Sequence, residues 1–287
     1  MALRVAVVGA GRMGQGIALA LSRSGGSVTL LGRTDRPVAP PLTVQAGGWG
    51  PAAAGAGIVL LAVPDAAIPL VAARLLEEGG VKAGQAVLHL SGLLDHRALD
   101  VLAPTGAALG SFHPLQTVAD PATAPERLRG AYAGVEGDER AVAAGEALAS
   151  ALGMVPVRIP SGAKAAYHAG ATLVANYTVA LTALATRLAA DAGVPRGEAA
   201  RIYLPLLRGA ADNLQRLAPA EALTGAIRRG DAGTVAAHLA ALDGNDRVLY
   251  ALLGREALVL ARQAGLESGA AAAIERLLDG VLSVRRP

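Results

Sequence analysis

Along the first 160 residues the apolar positions gather into short unbroken runs, each closed by glycine, proline or small polar residues. Leu3–Val8, Ser27–Leu31, Gly57–Val63, Gln85–Leu90, Ala107–Phe112, Ala131–Val135 and Val155–Ile159 are such runs. Continuous rather than alternating apolarity marks strands covered on both faces, the habit of a parallel sheet between helices. Helical spacing intervenes at Ile17–Leu21, after Pro64-Asp65 and from Asp138 to Leu152. The proline- and glycine-rich stretch 37–57 holds one weaker strand near Leu42-Thr43-Val44. Beyond Pro160 the period lengthens to that of helices, with breaks at Gly193-Val194-Pro195, Leu217-Ala218-Pro219, Gly230-Asp231, Gly244-Asn245 and Gly265. Pro205 either kinks the helix after Pro195 or splits it. The pattern predicts two domains: an α/β domain over residues 1–160 and an all-α domain over 161–287.

The joint between the first strand and the first helix narrows the fold. Gly9-Ala10-Gly11-Arg12-Met13-Gly14 follows a buried strand and opens a helix. Gly9 permits the tight turn, Gly11 admits a pyrophosphate against the backbone, and Gly14 lets helix and strand pack closely. The helix N-terminus adds free N–H groups and positive potential. The α/β half is therefore expected to be a Rossmann dinucleotide-binding domain with a mostly parallel sheet. A glycine turn used for packing alone is the competing explanation.

The end of the second strand bears on which dinucleotide binds. Where an NAD site places an acid for the ribose hydroxyls, this chain has Gly32-Arg33-Thr34-Asp35-Arg36. Arg33, Thr34 and Arg36 suit a 2′-phosphate, because guanidinium binds phosphate bidentately and stacks on adenine. NADP(H) is expected over NAD(H). Asp35 would serve the ribose if the loop were shifted by two residues. Val63-Pro64 then brings backbone to the carboxyl edge of the sheet, where the nicotinamide ribose belongs.

Composition removes other classes. The chain has no cysteine, so disulfides, thiolate metal sites and thiol nucleophiles are excluded, and redox chemistry must come from a cofactor. The net charge of +3 is scattered, with no run of five like charges, and aromatics make up 2%; nucleic-acid binding is not expected. From Ala165 to Thr186 there is no charge, which is long enough to span a bilayer. The alanine, glycine and threonine content, with Tyr167, His168, Asn176 and Tyr177 inside, favours a buried core helix instead. A cytoplasmic protein without a membrane segment is expected, as Arg4 leads into a strand rather than a signal-peptide core.

A nicotinamide enzyme needs a group that handles the substrate proton. Lys164 is the first candidate: in the first turn of a helix starting near Ser161-Gly162, the macrodipole would lower its pKa. His168 lies one turn later, Tyr167 beside it, and Thr172 and Asn176 continue along that side. Ser91 and His113 sit at strand ends on the rim where α/β sheets bind ligands. His89 and His96 read as structural or exposed. Thr224-Gly225 and Arg229 offer an anion contact, while Asp231 reads as the N-cap of the helix carrying Thr234 and His238. His113, His168 and His238 show no metal-ligand spacing, and no metal is expected.

Taken together, Gly9–Gly14, Ala62-Val63-Pro64-Asp65, Ser91-Gly92-Leu93, His113-Pro114-Leu115-Gln116, Tyr167-His168 with Asn176-Tyr177, and Leu223-Thr224-Gly225 followed by Arg229-Gly230-Asp231 resemble a family of Rossmann-like oxidoreductases. Its C-terminal half is a domain of unknown function, and it falls within the 6-phosphogluconate dehydrogenase-like and β-hydroxyacid dehydrogenase-like superfamily. The resemblance implies that Lys164 and His168 stand where those dehydrogenases have a lysine and an asparagine acting on substrate; the histidine leaves open which residue donates the proton. It implies that Ser91-Gly92 lies beside the nicotinamide, and His113-Pro114 is similar to a pair in prephenate dehydrogenases. Proline usually follows Leu-Thr-Gly in the family, where this chain has Ala226. A homodimer built through the helical domain is implied as well. The expected function is an NADP(H)-dependent oxidoreductase acting on a small anionic carbonyl, hydroxyl or imine substrate held between the domains. The alternative is an NADP(H)-binding regulatory or redox-sensing protein with little turnover.

Overall fold

The computed structural model describes residues 3–35 and 37–283; Arg36, one of the three expected phosphate ligands, lies outside them. The chain divides into two compact units, residues 1–177 and 178–287.

The first unit is built on eight strands: β1 Arg4–Val8, β2 Ser27–Gly32, β3 Val44–Ala46, β4 Ile58–Leu61, β5 Ala86–His89, β6 Ala108–Pro114, β7 Tyr132–Gly137 and β8 Val155–Arg158. Their order in the sheet is β3-β2-β1-β4-β5-β6-β7-β8. Every neighbouring pair is parallel except β6 with β7. The order reverses between β1 and β4, the place where such sheets open a ligand crevice at their carboxyl ends. The weak strand falls at β3, two residues later than expected, and pairs with β2 through Leu30 and Val44.

Helices α1 Arg12–Arg23, α2 Gly50–Ala54, α3 Ile68–Glu77, α4 Ala124–Leu128 and α5 Glu139–Ala151 cover the sheet. One face buries Val5, Val7, Leu60, Leu88 and Phe112 under α1 and α5; the other buries Ala6, Val8, Val59 and Val87 under α3. Both faces of the central strands are thus removed from water, each large side chain contributing about 1.5–3 kcal/mol, which is why the strands read as continuous apolar runs. Asp138 caps α5 by accepting from the N–H groups of Arg140 and Ala141.

Helix α6, Lys164–Asp191, belongs to both units. The second unit continues with α7 Arg196–Ile202, α8 Leu204–Leu214, α9 Pro219–Ala222, α10 Gly225–Arg229, α11 Ala232–Ala241, α12 Gly244–Gln263 and α13 Ser268–Ser283. Pro205 splits rather than kinks, standing in the first turn of α8 after a break at Tyr203. The core of this unit is small, formed by Val235, Leu239, Ala251, Leu258, Ala271, Ile274 and Leu278.

One expectation is corrected. Helix α6 is long and apolar enough to cross a membrane by length and composition, yet only 6% of its most apolar window is buried within the chain, so it is not a buried core helix. Its apolar side chains have few neighbours in this chain: Leu173, Val174 and Val179 are 58%, 76% and 70% exposed.

Candidate active site

Two clusters stand at the carboxyl ends of the central strands, and the first is the glycine turn after β1. Gly9 has φ +120°, and a Cβ on it would overlap the Ala62 carbonyl; one on Gly14 would overlap the Gly9 carbonyl. Gly11 differs from both. Its φ of −73° suits any residue, and a Cβ there would meet nothing within 4 Å, so neither strain nor packing calls for glycine. That empty space, beside an α1 first turn with no side-chain cap and no acid, fits an anion brought against the backbone. Gln15 Nε2 donates to the Ala10 carbonyl at 2.9 Å and steadies the turn. Gly9, Ala10 and Gly11 line a cavity of about 440 Å³ that continues past Arg33 and Thr34 to Val63 and Pro64. Arg12, Met13 and Gly14 open α1 beside it, while Asp35, the alternative ribose ligand, is exposed and does not line the cavity. The residues present fit a dinucleotide.

Trp49 also lines this cavity and was not singled out by sequence reasoning. Its Nε1 donates to the Gly32 carbonyl at 2.9 Å, and the Arg74 guanidinium lies 3.9 Å from its ring centroid. The Arg74 guanidinium also bonds Glu78 and holds that carboxyl below the usual range. The only tryptophan of the chain, inside a proline- and glycine-rich stretch, was the available signal.

The second cluster centres on Lys164. Strand register sets Leu61, His89, Ser111 and Glu136 side by side across β4, β5, β6 and β7. Just beyond that row the Ser91 hydroxyl donates to Asp65 Oδ2 at 2.8 Å and accepts from the N–H groups of Leu93 and Leu94. The hydroxyl is engaged in shaping this loop, and it is the Ser91 carbonyl that meets Lys164. Lys164, the first residue of α6 and 3% exposed, donates to that carbonyl at 2.6 Å and to Ser111 Oγ at 2.7 Å. Burial pulls its pKa down to about 8, against the opposing pull of Glu136, Asp65 and Asp95. Desolvation, rather than the helix terminus, is thus the leading cause.

Three rings meet beside it. His113 Nδ1 and the Tyr167 hydroxyl are 3.0 Å apart, and the His113 and His168 rings lie edge to face with centroids 5.4 Å apart. Burial, then the charges of Lys164 and His168, lowers the His113 pKa to about 4, so the imidazole is neutral at pH 7. Burial raises Tyr167 to about 12, keeping the phenol protonated. Glycine is required next to these rings: a Cβ on Gly92 would overlap His168 Nδ1, and one on Gly134 would overlap the Tyr167 hydroxyl. His168 Nδ1 is itself buried with no hydrogen-bond partner among the described residues. An unpaired buried nitrogen costs stability, and such atoms concentrate at functional sites.

Other expected residues stand apart. Thr172 and Asn176 lie about two and three turns along α6, half-buried and exposed. Thr224 and Arg229 line a depression in the helical unit, with Arg228 and Glu267. Asp231 caps α11 as expected, accepting from the Thr234 N–H at 2.9 Å. His89 is structural: Nε2 donates to the Asp95 carbonyl and Nδ1 accepts from the Ser91 N–H, which fixes one neutral tautomer. His238 Nδ1 lies 2.8 Å from the Tyr250 hydroxyl in the helical unit. No group of three His, Cys, Asp or Glu with metal-holding geometry occurs among the described residues.

Comparison with known proteins agrees with this architecture. Residues 1–114 match the Rossmann-like domain, and residues 131–257 match the domain of unknown function DUF2520. Protein TM1727 from Thermotoga maritima is 24% identical with a TM-score of 0.71, over 91% of this chain and 99% of that one. Pyrroline carboxylate reductase from Plasmodium falciparum, with NADP bound, is 9% identical with a TM-score of 0.59, over 99% and 98%. A reductive aminase from Aspergillus terreus, in complex with NADPH and ethyl-5-oxohexanoate, is 18% identical with a TM-score of 0.59, over 100% and 95%. No curated protein sequence matches the chain. The fold is that of NAD(P)-dependent oxidoreductases.

Proposed function

The chain joins a Rossmann-like domain to a DUF2520 domain, and from that premise we propose that it is an NADP(H)-dependent oxidoreductase acting on a small anionic carbonyl, hydroxyl or imine compound. The observation that carries this reading is the Lys164 ammonium, buried at the carboxyl ends of the sheet strands with a pKa of about 8. An acid with that pKa is protonated at neutral pH and can still release its proton in a transition state. NADPH, when bound, supplies the hydride.

The chain's own residues divide the remaining work. The Gly9–Gly14 turn takes the pyrophosphate, and Arg33 with Thr34 takes the 2′-phosphate. Lys164 gives a proton to the substrate oxygen or nitrogen in the reducing direction and removes one in the other, and its positive charge favours an anionic substrate. His113, held neutral, and His168, with Nδ1 unpartnered, supply hydrogen bonds that orient the substrate. The names of the reductases of like fold, a pyrroline carboxylate reductase and a reductive aminase in complex with NADPH and ethyl-5-oxohexanoate, support keeping imines and carbonyls in the substrate class. We also propose a cytoplasmic homodimer in which a second copy covers the exposed apolar side of α6; light scattering would show twice the chain mass, and recruitment to vesicles would contradict it.

The test is a titration calorimetry measurement with NADPH, followed by NADPH consumption with small oxo acids and cyclic imines. Lys164→Met and His168→Ala are expected to keep NADPH affinity within about twofold while turnover falls by about a hundredfold or more. Arg33→Ala is expected to weaken NADPH by about tenfold and NADH hardly at all. NADPH binding without consumption of any panel compound would favour a nucleotide-binding regulatory protein instead.

A further inference from the structure

Behind the Lys164 ammonium lies a line of polar side chains that proton transfer to substrate leaves unexplained. Ser111 on β6 and Glu136 on β7 are direct cross-strand partners, so their side chains share one face of the sheet. Lys164 Nζ donates to Ser111 Oγ at 2.7 Å, and the Ser111 hydroxyl donates to Glu136 Oε2 at 3.2 Å. Glu136 Oε1 accepts from His96 Nδ1 at 2.6 Å, and Oε2 also accepts from the His96 N–H. Ser111, Glu136 and Lys164 are 1–3% exposed, whereas the His96 side chain is 34% exposed. A buried carboxylate is costly even when paired, and apolar residues would join β6 to β7 as well. The cost has a return if the line connects a buried amine to water.

We propose that Ser111, Glu136 and His96 form a proton relay that restores the proton of Lys164 after it has been given to substrate. This rests on Lys164 being the proton donor. With Lys164 neutral, His96 gives its Nδ1 proton to the Glu136 carboxylate and takes one from water at Nε2. The Ser111 hydroxyl turns to Nζ and gives up its hydrogen while taking that proton from Glu136, which returns to the carboxylate. Only protons move; no bond between heavy atoms forms or breaks, and no electron is gained or lost. The net change is one proton from solvent to Lys164, and the reverse direction carries one out.

The alternatives are poorer conductors. Among the described residues the other acceptor of the ammonium is the Ser91 carbonyl, which has no proton to pass on. Asp65 and Asp95 act on the Lys164 charge, that charge acts on His89 and His113, and His168 acts on His113, all without a hydrogen bond to Nζ. Serine, carboxylate and imidazole can each accept and release a proton, and imidazole does so with water at neutral pH.

The chain has two lysines, Lys82 and Lys164, so ¹⁵N-lysine labelling gives two side-chain signals, and exchange of the Lys164 ammonium hydrogens with water can be followed without substrate. Glu136→Gln keeps the shape but cannot carry a proton; it is expected to slow Lys164 exchange by about tenfold or more, with Lys82 unchanged. His96→Ala is expected to do the same, and added imidazole to restore the rate. His96 is partly exposed, so this variant carries the test if Glu136→Gln does not fold. In turnover, His96→Ala should complete the first hydride transfer at the wild-type rate and slow in later cycles. Unchanged exchange in both variants would overturn the relay, as would slowed exchange in His96→Ala that imidazole does not rescue. If the wild-type protein reduces no compound, the enzyme reading fails while the exchange rates still decide whether protons travel this line.

Discussion

In the sheet unit the polar groups at the ends of β6 and β7 are buried and bonded to one another, whereas in the helical unit charged groups ride outside a small apolar core. Lys164, Ser111 and Glu136 exclude water almost entirely, and their hydrogen bonds fix single orientations. Arg255 with Asp279 and Arg262 with Glu275 are about half exposed and link neighbouring helices. A low-dielectric setting makes each buried charge consequential, while the solvated pairs are screened. The contrast puts the buried titratable groups in the sheet unit and the first turns of α6, and leaves the helical unit with a small core and exposed apolar side chains such as Leu206 and Leu214.

The largest expected effect separates two glycines of the same turn. Gly14→Ala drives a methyl into the Gly9 carbonyl, backbone against backbone, and is expected to destabilise the protein by about 3 kcal/mol or more. Gly11→Ala meets nothing within 4 Å and has a backbone any residue can adopt. It is expected to leave the unfolding midpoint unchanged or slightly raised, yet to weaken NADPH by about tenfold or more, because the methyl fills the place of the pyrophosphate. Denaturant unfolding and calorimetry on the two variants check this, and a Gly11→Ala protein that binds NADPH normally would detach the nucleotide from this turn.

Acid titration sharpens the contrast next. In the unfolded chain an imidazole titrates near 6.5; His113 in the fold titrates at about 4. Between those values the unfolded state binds more protons, so stability contributed by neutral His113 is present above pH 6.5 and is lost as pH falls toward 4. The loss approaches about 3 kcal/mol at the acid end. Unfolding midpoints at neutral pH and near pH 4.5 should therefore differ more for the wild type than for His113→Asn. Equal differences would mean that the ring is solvated and the cluster looser than its geometry.

Much of the first unit is legible in sequence because its signals are local. The β1-turn-α1 joint is spelled by glycines at fixed offsets, and strands covered on both faces need continuous apolar runs. Lys164 stands out as a cation where a helix begins, although burial outweighs the terminus in lowering its pKa. Glu136 and Ser111 are not legible, since they meet through register across an antiparallel pair, 25 residues apart, and no spacing in the chain encodes that pairing. Helix α6 fails for a related reason. Its charge-free length reads as that of a core helix, but whether this chain covers it is decided by residues elsewhere in the chain and not by the helix.

The smallest effect belongs to the helical unit and is where the contrast is easiest to break. Arg262 donates to both oxygens of Glu275, at 3.2 and 2.7 Å, linking α12 to α13. The geometry is the favourable forked one, and each group shifts the other's pKa toward its charged form, raising Arg262 and lowering Glu275. Both side chains are nevertheless 43% and 35% exposed, so water competes for the same hydrogen bonds and the pairing must hold two long side chains still. A double-mutant cycle over Arg262→Ala and Glu275→Ala is expected to give a coupling near the limit of measurement, and raising the salt to about 1 M should erase it. A large coupling that survives salt would mean that the helical unit too is held by its charged groups, and the division of labour between a polar, functional interior and a merely solvated exterior would no longer follow from burial.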